Sequence, residues 1–314
     1  MHQHQSPLHW ANIPDSHDGE RQRLADIGMY RPAMESDACG VGMVASVDGK
    51  PSRRVVEAGI EALKAVWHRG AVDADGKTGD GAGIHLDLPV NFFLEHVDRA
   101  GQAPRANLLA VGMIFLPRTD LAAQESCRAI VESEIIAFGH FIYGWRQVPV
   151  DVSVIGEKAA RLRPEIEQIM IAGPADTSRA AHEAFEKQLY ILRRRIERKV
   201  IEAQIQGFYI CSLSCRSIVY KGLFLAESLS VFYPDLTDKR FESRVAIYHQ
   251  RYSTNTFPQW WLAQPFRCLA HNGEINTIRG NSNWMKSHEI KMAATAFGDH
   301  SEDIKPLIPA GSSD

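Results

Sequence analysis

Short apolar runs that alternate with helical patterns constrain the fold of this chain more than any other feature of its sequence. The runs 39–47, 108–117 and 208–224 are rich in small, β-branched and aromatic residues and predict buried strands, the last run as two strands that meet near Ser214. Further strands are predicted at 84–88, 143–156, 245–253 and 265–275, and helices at 51–66, 119–138 and 178–203. Without an internal repeat or a low-complexity linker, this alternation favours one mixed α/β domain.

The charge balance and the shortness of the apolar runs exclude whole classes of partner. The 314 residues carry 35 Lys and Arg against 38 Asp and Glu, a net charge of −3 with His neutral, so no basic field would concentrate nucleic acid. No apolar run approaches the roughly 20 residues that cross a bilayer, and the first residues lack the basic-then-apolar order of a signal peptide. We therefore expect a cytoplasmic protein that binds neither nucleic acid nor a membrane.

The cysteines draw attention to a single residue. Five cysteines scattered over 314 residues are too few for a disulfide framework, and Cys211 and Cys215 have no further ligands nearby to complete a metal site. We therefore expect no metal, and a structural role for Cys127, Cys211, Cys215 and Cys268. Cys39 differs, because it begins an apolar run directly after a polar stretch of 38 residues that lacks apolar periodicity.

Polar clusters lie at the ends of predicted strands, where a rigid scaffold commonly displays catalytic residues. They are Ala38–Gly42, His249–Asn255, His271–Asn276 and Gly311–Asp314. Each alone has an ordinary structural interpretation, such as a small core residue, a surface ion-pair partner or a tight turn with glycine at positive φ. Their combination is far more specific than any one of them.

Longer segments around these clusters extend the pattern. They are SDACGVGMVA (36–45), ALKAVWHRGAVDADGKTGDGAGI (62–84), SLSCRSIVYKGL (212–223) and HQRYSTNTFPQWWLAQPFRCLAHNGEINTIRGNSNWM (249–285). In these segments the chain resembles the class II, or N-terminal nucleophile, glutamine amidotransferases. HNG alone indicates that class, whereas its continuation EINTIRGNSNWM and the upstream TFPQW resemble the glutaminase domain of glutamate synthase large subunits.

The resemblance implies an α+β fold, the four-layer αββα sandwich of N-terminal nucleophile hydrolases, in which two antiparallel sheets are packed between helices. Cys39 would begin a central strand. Residues 39–314 would form the glutaminase domain, C-terminally incomplete because the domain continues further in the family. Residues 1–38 would be a propeptide, since only cleavage of the Ala38–Cys39 bond frees an α-amino group on Cys39.

The chemistry explains why such a site needs these residue types. Hydrolysis of a side-chain amide requires a nucleophile, a base and donors for the oxyanion. By resemblance, Cys39 supplies the thiolate, and its α-amino group, with an ordinary pKa near 7.7–8.0, is a base suited to neutral pH. Asn272, through its side-chain amide, and Gly273, through its backbone N–H, match the oxyanion hole. The substrate contacts fall on Arg251 for the α-carboxylate, Thr254 and Asn255 along the glutamine pocket, and Asp314 for the α-amino group.

Other motifs receive structural interpretations. The glycines of 79–83 do not fit the spacing G-x-G-x-x-G, and the strand–turn–helix order that a nucleotide loop needs is reversed. We expect this loop and Arg69-Gly70 to support the site rather than to bind a cofactor. The basic run Arg193–Arg195 has acids such as Glu197 close by and is predicted to be a solvated helix face.

The resemblance also implies a function: release of ammonia from L-glutamine, for transfer to 2-oxoglutarate in a synthase domain. FMN, an iron–sulfur cluster and NAD(P)H or ferredoxin would serve the full-length enzyme, with a small electron-transfer subunit as a further partner, and none is expected to bind this fragment. Alternatives stay open: a catalytically silent fragment of the same domain, or the class II domain of another biosynthetic enzyme. The latter predicts a shorter connection than the 212 positions from Cys39 to Arg251 (251 − 39 = 212).

Overall fold

The computed structural model describes residues 40–105, 108–251, 258–267, 269–271, 278–291 and 297–308, together with Gly19, Arg23 and 26–28. In this part of the chain the strands are β1 (Val41–Ala45), β2 (Ala82–Asp87), β3 (Leu109–Leu116), β4 (Phe141–Gln147), β5 (Glu165–Ala172), β6 (Tyr209–Ser214), β7 (Ser217–Gly222) and β8 (Val245–Gln250). The helices are α1 (Arg53–Ala65), α2 (Val90–Arg99), α3 (Leu121–Ala137), α4 (Glu157–Leu162), α5 (Arg179–Glu202), α6 (Leu229–Phe232) and α7 (Ile278–Lys291).

These strands form two antiparallel sheets of four strands each. The first sheet has the order β1-β8-β2-β7, and the second has the order β4-β5-β3-β6. β6 and β7 follow each other in the chain but belong to different sheets, so the turn at Cys215-Arg216 passes from one sheet to the other. The predicted meeting of two strands near Ser214 is therefore confirmed.

The alternation of side chains along β3 places the second sheet between two hydrophobic cores. Val111, Met113 and Phe115 belong to a core shared with the first sheet and with α1 and α2. Ala110, Ile114 and Leu116 belong to a core shared with α3 and α5. The predicted α+β fold, with two antiparallel sheets and helices packed against them, is confirmed and agrees with the αββα sandwich.

Most predicted elements lie where local sequence signals placed them. α1 buries Val56, Ile60 and Leu63, as their helical spacing predicts. α5 begins after Ser178, whose hydroxyl accepts the N–H of Ala181, a favourable N-cap. β5 was not predicted, because Glu165, Glu167 and Gln168 interrupt its apolar pattern; in the fold Glu167 pairs with Arg128, and Gln168 accepts a hydrogen bond from Arg146.

Other predictions were wrong in part. The predicted strand 143–156 ends at Gln147, and Val152–Val154 form a 3₁₀ turn whose start is capped by Asp151. The predicted strand 265–275 is absent from its described residues, 265–267 and 269–271, where the side chain of Gln264 takes over the backbone hydrogen bonds of His271. Local propensity cannot reveal such a competing side chain.

Two of the three arginines in the basic run on α5 are buried, contrary to the prediction of a solvated face, and the third, Arg195, is 31% exposed and pairs with Glu134. Arg193 and Arg194 are 8% and 7% exposed, and both pair with Glu197, at 2.7 and 2.6 Å. Arg267 approaches the same carboxylate at 3.4 Å. The guanidinium groups can be buried because a carboxylate and backbone carbonyl oxygens accept hydrogen bonds from them.

A second buried polar network joins the two sheets. Arg146 of β4 makes a bidentate pair with Asp235, through hydrogen bonds of 2.7 and 2.6 Å. Tyr220 of β7 donates to Asp235 at 3.0 Å and accepts a hydrogen bond of 2.9 Å from Gln168 of β5. Each polar group in this network has a partner, which is the condition under which burial is tolerated.

Candidate active site

The C-terminal end of β8 is flanked by the segments that carry the predicted site. Gln250 donates its N–H to the carbonyl oxygen of Gly40 at 2.6 Å, and Arg251 donates its N–H to the carbonyl oxygen of Gly81 at 2.8 Å. The antiparallel register places Val41 opposite His249 and Ala82 opposite Gln250. The start of β1 and the start of β2 therefore lie on either side of the end of β8.

Close packing around Gln250 explains the glycines in this region. A Cβ on Gly40 would overlap the carbonyl oxygen of Gln250, and a Cβ on Gly70 would overlap the side-chain amide of Gln250. Only a residue without a side chain fits at either position. The segment Arg69-Gly70 thus packs beside Gly40 and β8.

Arg251 combines a strained backbone with an oriented side chain. Its φ of 85° lies in the left-handed region, which costs a non-glycine residue about 1–3 kcal/mol and is concentrated at functional sites. Its Nε lies 3.7 Å from Oδ2 of Asp80, and its side chain is 37% exposed. A guanidinium that is oriented by one carboxylate and still open to solvent is suited to bind a second carboxylate in a bidentate manner.

Asp80 is itself held by the loop between α1 and β2. Its Oδ1 accepts the N–H of Ala71 at 3.0 Å, and its own N–H donates to the carbonyl oxygen of Ala71 at 3.2 Å. The carboxylate is 7% exposed. Asp80 therefore reaches Arg251 from a fixed position and orients its guanidinium.

Sequence reasoning assigned the loop 79–83 a supporting role and did not identify Asp80 as a functional residue. A signal was available in the pairing of two predicted strands. Once β2 and β8 are aligned antiparallel so that Ala82 meets Gln250, Gly81 comes opposite Arg251, and Asp80 lies one position further along. The alternation of single strands contains no such information.

His271 is held by two buried side chains, His249 of β8 and Gln264. Its carbonyl oxygen accepts hydrogen bonds from His249 Nε2 at 2.5 Å and from Gln264 Nε2 at 3.1 Å. Its N–H donates to Gln264 Oε1 at 3.0 Å. Sequence reasoning did not select His249 or Gln264, and nothing in the local sequence of Gln264 indicates this role. His271, which precedes Asn272, is thereby held against His249, two positions before Arg251.

Of the predicted site residues, Arg251 lies within the described part of the chain. Cys39, Thr254, Asn255, Asn272, Gly273 and Asp314 lie outside the described residues. The described neighbours of two of them, Gly40 and His271, both contact β8 within two residues of Arg251. The fold therefore brings together Arg251 and the described neighbours of Cys39 and Asn272, namely Gly40 and His271.

The described cysteines are poor nucleophiles. Burial raises the pKa of Cys127 to about 11 and the pKa of Cys211 and Cys215 to about 12. Their thiols stay protonated at neutral pH, whereas the thiolate is the reactive form.

Among the described residues, no group of three or more His, Cys, Asp and Glu is arranged to hold a metal ion. Nor is any helix in that part of the chain both long enough and apolar enough to cross a bilayer.

Comparison with known families shows to which family the chain belongs. Residues 39–314 match the model of the family described as "Glutamine amidotransferases class-II", which covers most of the chain and begins at Cys39. The chain belongs to the class II glutamine amidotransferases. This class II chain matches its family over both sheets and over the segments that meet at the end of β8.

Several relatives of this class II chain are glutamate synthases. It is 65% identical to the glutamate synthase [NADPH] large chain of Azospirillum brasilense over 93% of its own length and 19% of that protein. It is 43% identical to ferredoxin-dependent glutamate synthase 1 of Arabidopsis thaliana, over 88% of its own length and 17% of the relative. For glutamate synthase [NADH] of Saccharomyces cerevisiae the identity is 40%, over 100% of this chain and 14% of the relative. The chain thus spans less than a fifth of these relatives.

Proposed function

We propose that this chain is the glutaminase domain of a glutamate synthase, in which Cys39 attacks the side-chain amide of L-glutamine. The observation that carries the proposal is the meeting of Gly40, Arg251 and His271 at the end of β8 in a member of this family. Gly40 follows the nucleophile and His271 precedes the oxyanion-hole pair Asn272-Gly273. Arg251 supplies the cation for the substrate's α-carboxylate.

The reaction proceeds in two balanced halves. The α-amino group of Cys39 takes the thiol proton, the thiolate forms a bond to the amide carbon, and the carbonyl electrons move to the oxygen, where Asn272 and Gly273 donate hydrogen bonds. The C–N bond then breaks, the Cys39 ammonium returns the proton to the leaving nitrogen, and ammonia departs. Water hydrolyses the thioester to glutamate and restores the thiol.

The substrate is held by groups at both ends of its α-carbon. Arg251 binds the α-carboxylate and Asp314 the α-amino group, while Thr254 and Asn255 line the pocket for the side chain. The orientation of Arg251 by Asp80 supports the first of these roles. The description of the matching family, "Glutamine amidotransferases class-II", supports L-glutamine as the nitrogen donor.

Residues 1–38 serve as a propeptide in this proposal, and 39–314 as the glutaminase domain. The family match begins at Cys39, and the chain divides into the compact units Met1–Ala38 and Cys39–Asp314 at the same bond. Both observations support cleavage between Ala38 and Cys39. Without that cleavage Cys39 has no free α-amino group to act as the base.

The remaining steps belong to a longer protein. Ammonia would pass to 2-oxoglutarate in a synthase domain that uses FMN and an iron–sulfur cluster, in the cytoplasm, with a small electron-transfer subunit as a further partner. The names of the relatives include NADPH, NADH and ferredoxin, which supports a nicotinamide cofactor or ferredoxin as the electron donor. None of these groups is assigned to a residue of this chain.

The test combines intact mass with labelling of the nucleophile. We expect the purified chain to begin at Cys39, to hydrolyse glutamine, and to be labelled once, on Cys39, by a glutamine-analogue alkylator. Cys39→Ala should abolish labelling and hydrolysis and leave the propeptide attached. A folded chain that begins at Cys39 and neither hydrolyses glutamine nor reacts with the alkylator would refute the proposal in favour of a silent domain.

A further inference from the structure

The backbone N–H and carbonyl oxygen of His271, the last described residue before Asn272-Gly273, are both held by buried side chains. Gln264 pairs with His271 through both its amide oxygen and its amide nitrogen, at 3.0 and 3.1 Å. His249 adds a third hydrogen bond, of 2.5 Å, to the same carbonyl oxygen. His249 and Gln264 are 1% and 3% exposed, so water does not compete for these contacts.

The donors in this arrangement are unambiguous. A carbonyl oxygen can only accept, so the Nε2 of His249 carries the proton. Burial lowers the pKa of His249 to about 4, which keeps the ring neutral at neutral pH with a single N–H, the one that faces His271. Gln264 must be an amide, because it donates with one atom and accepts with the other; a carboxylate would place an oxygen against the carbonyl oxygen.

Peptide planarity transmits this constraint to the next residue. The C=O of His271, the N–H of Asn272 and the Cα of Asn272 share one plane, so fixing the carbonyl fixes the direction in which the chain enters Asn272. Donors of an oxyanion hole act only when they are held at about 2.7–3.1 Å from the developing charge. A small rotation of this plane would therefore weaken stabilisation of the transition state.

We propose that His249 and Gln264 are positioning residues that hold the oxyanion-hole segment in its catalytic orientation by fixing the carbonyl oxygen of His271. This inference rests on the proposed glutaminase function for its kinetic consequence. It assigns to β8 a double role, since Arg251 follows directly after the strand, two residues after His249. Loss of either side chain affects the transition state rather than binding of the substrate.

The kinetic arm of the experiment compares His249→Ala, His249→Gln and Gln264→Glu in the purified chain, with the N-terminus checked by mass. For His249→Ala and Gln264→Glu we expect kcat for glutamine hydrolysis to fall about 10- to 100-fold while KM changes less than about 2-fold. His249→Gln keeps a donor near the position of Nε2 and should restore most of the lost kcat. The matched control is His85→Ala, which truncates a partly buried histidine on β2 that pairs in register with Ile247.

The structural arm measures hydrogen exchange in peptides that cover 271–273, in these chains and in Gln264→Ala. We expect exchange at least about 10-fold faster in His249→Ala and in Gln264→Ala than in the original chain, and unchanged in His85→Ala. Circular dichroism and thermal unfolding establish that each variant folds. If His249→Ala or Gln264→Ala does not fold, Gln264→Glu, which keeps the side-chain volume and is expected to lose activity, provides the comparison.

The two arms separate the possible failures. If the original chain hydrolyses no glutamine, the proposed function fails, and exchange alone decides the positioning role. If folded His249→Ala and Gln264→Glu retain kcat within about 2-fold, or if exchange at 271–273 is unchanged, the positioning role is wrong. A rise in KM at constant kcat would also overturn it, because that result assigns the residues to substrate binding.

Discussion

At the scale of single residues, Arg251 shows how a fold prepares a side chain for its ligand. Its backbone is held at φ 85°, and Asp80 approaches its guanidinium at 3.7 Å. Neither feature stabilises the folded chain by much, since the backbone is strained and the pair is partly solvated. Both restrict where the guanidinium can be, which lowers the entropy that is lost when a carboxylate binds.

The role of Asp80 can be tested by Asp80→Asn, which removes the charge and keeps the shape. We expect KM for glutamine to rise about 5- to 10-fold with little change in kcat, because about 1 kcal/mol of binding is lost when Arg251 is no longer oriented. Steady-state hydrolysis measures both constants. Asp87→Asn is a matched control, because Asp87 pairs with Arg244 at the opposite end of the same two strands. An equal effect of the two substitutions would contradict the assignment.

The buried imidazole of His249 makes a second residue-scale prediction. Burial lowers its pKa from 6.5 to about 4 in the fold. The side chain of His271 also opposes protonation electrostatically, whereas the backbone groups of His271 and Arg251 favour it through hydrogen bonds. The unfolded chain therefore takes up the proton at a higher pH than the folded chain. The stability that the neutral imidazole contributes is present above about pH 6.5 and is lost as the pH falls to about 4. The loss amounts to about 3 kcal/mol.

Denaturant unfolding across this pH range tests the prediction by difference. His249→Gln cannot titrate, so its free energy of unfolding should fall less steeply with acid than that of the original chain. His288→Gln serves as a control, because it removes an exposed histidine of α7. Parallel pH profiles for His249→Gln and the original chain would show that the imidazole is not the group responsible.

At the scale of elements, the two sheets are joined by buried polar contacts as well as by apolar packing. Arg146 of β4 and Gln168 of β5 meet Tyr220 of β7 and Asp235 of the turn that follows α6. The side chains of Arg146 and Asp235 are 11% and 4% exposed. Removal of one partner from such a pair leaves an uncompensated buried charge, which costs far more than the intact pair contributes.

We therefore expect Asp235→Ala to destabilise the chain by about 3–5 kcal/mol, as measured by chemical denaturation. Asp73→Ala removes an aspartate from an exposed pair with Lys158, in which the side chains are 35% and 55% exposed. That control should cost less than about 1 kcal/mol. Similar losses for the two variants would mean that Asp235 is not a buried charge partner.

At the scale of the whole described domain, one core connects elements that are far apart in sequence. Trp260, which is buried, packs against Phe115 of β3 and against Phe224 and Phe232, and its indole N–H donates to the carbonyl oxygen of Ala159 at 3.1 Å. The loop that leads to His271 is thus anchored in the same core as the sheets. The geometry of the site consequently depends on the packing of both sheets.

This continuity predicts cooperative unfolding. Tryptophan fluorescence and far-ultraviolet circular dichroism should give transitions in denaturant that coincide within experimental error, since the loop packs in the first core and β3 contributes to both that core and the core shared with α3 and α5. Trp260→Phe should reduce the fluorescence change. It should lower the unfolding midpoint only by the loss of indole packing and of the hydrogen bond to Ala159. A fluorescence transition well before the loss of secondary structure would indicate that the 258–271 segment unfolds on its own.

The sequence by itself determined what depends on local pattern: the boundaries of α1 and α5, the strands β1, β3, β6 and β7, and the motif residues that identify the family. Helical spacing, capping residues and short motifs act over a few positions, so they can be read along the chain. β5, the burial of Arg193 and Arg194, and the roles of Asp80, His249 and Gln264 were decided only by the tertiary structure. Each of these depends on a partner distant in sequence, such as Asp80 for Arg251 and Arg128 for Glu167. A polar residue can be buried only where such a partner compensates for the lost water, and that partner is chosen by the packing of the sheets.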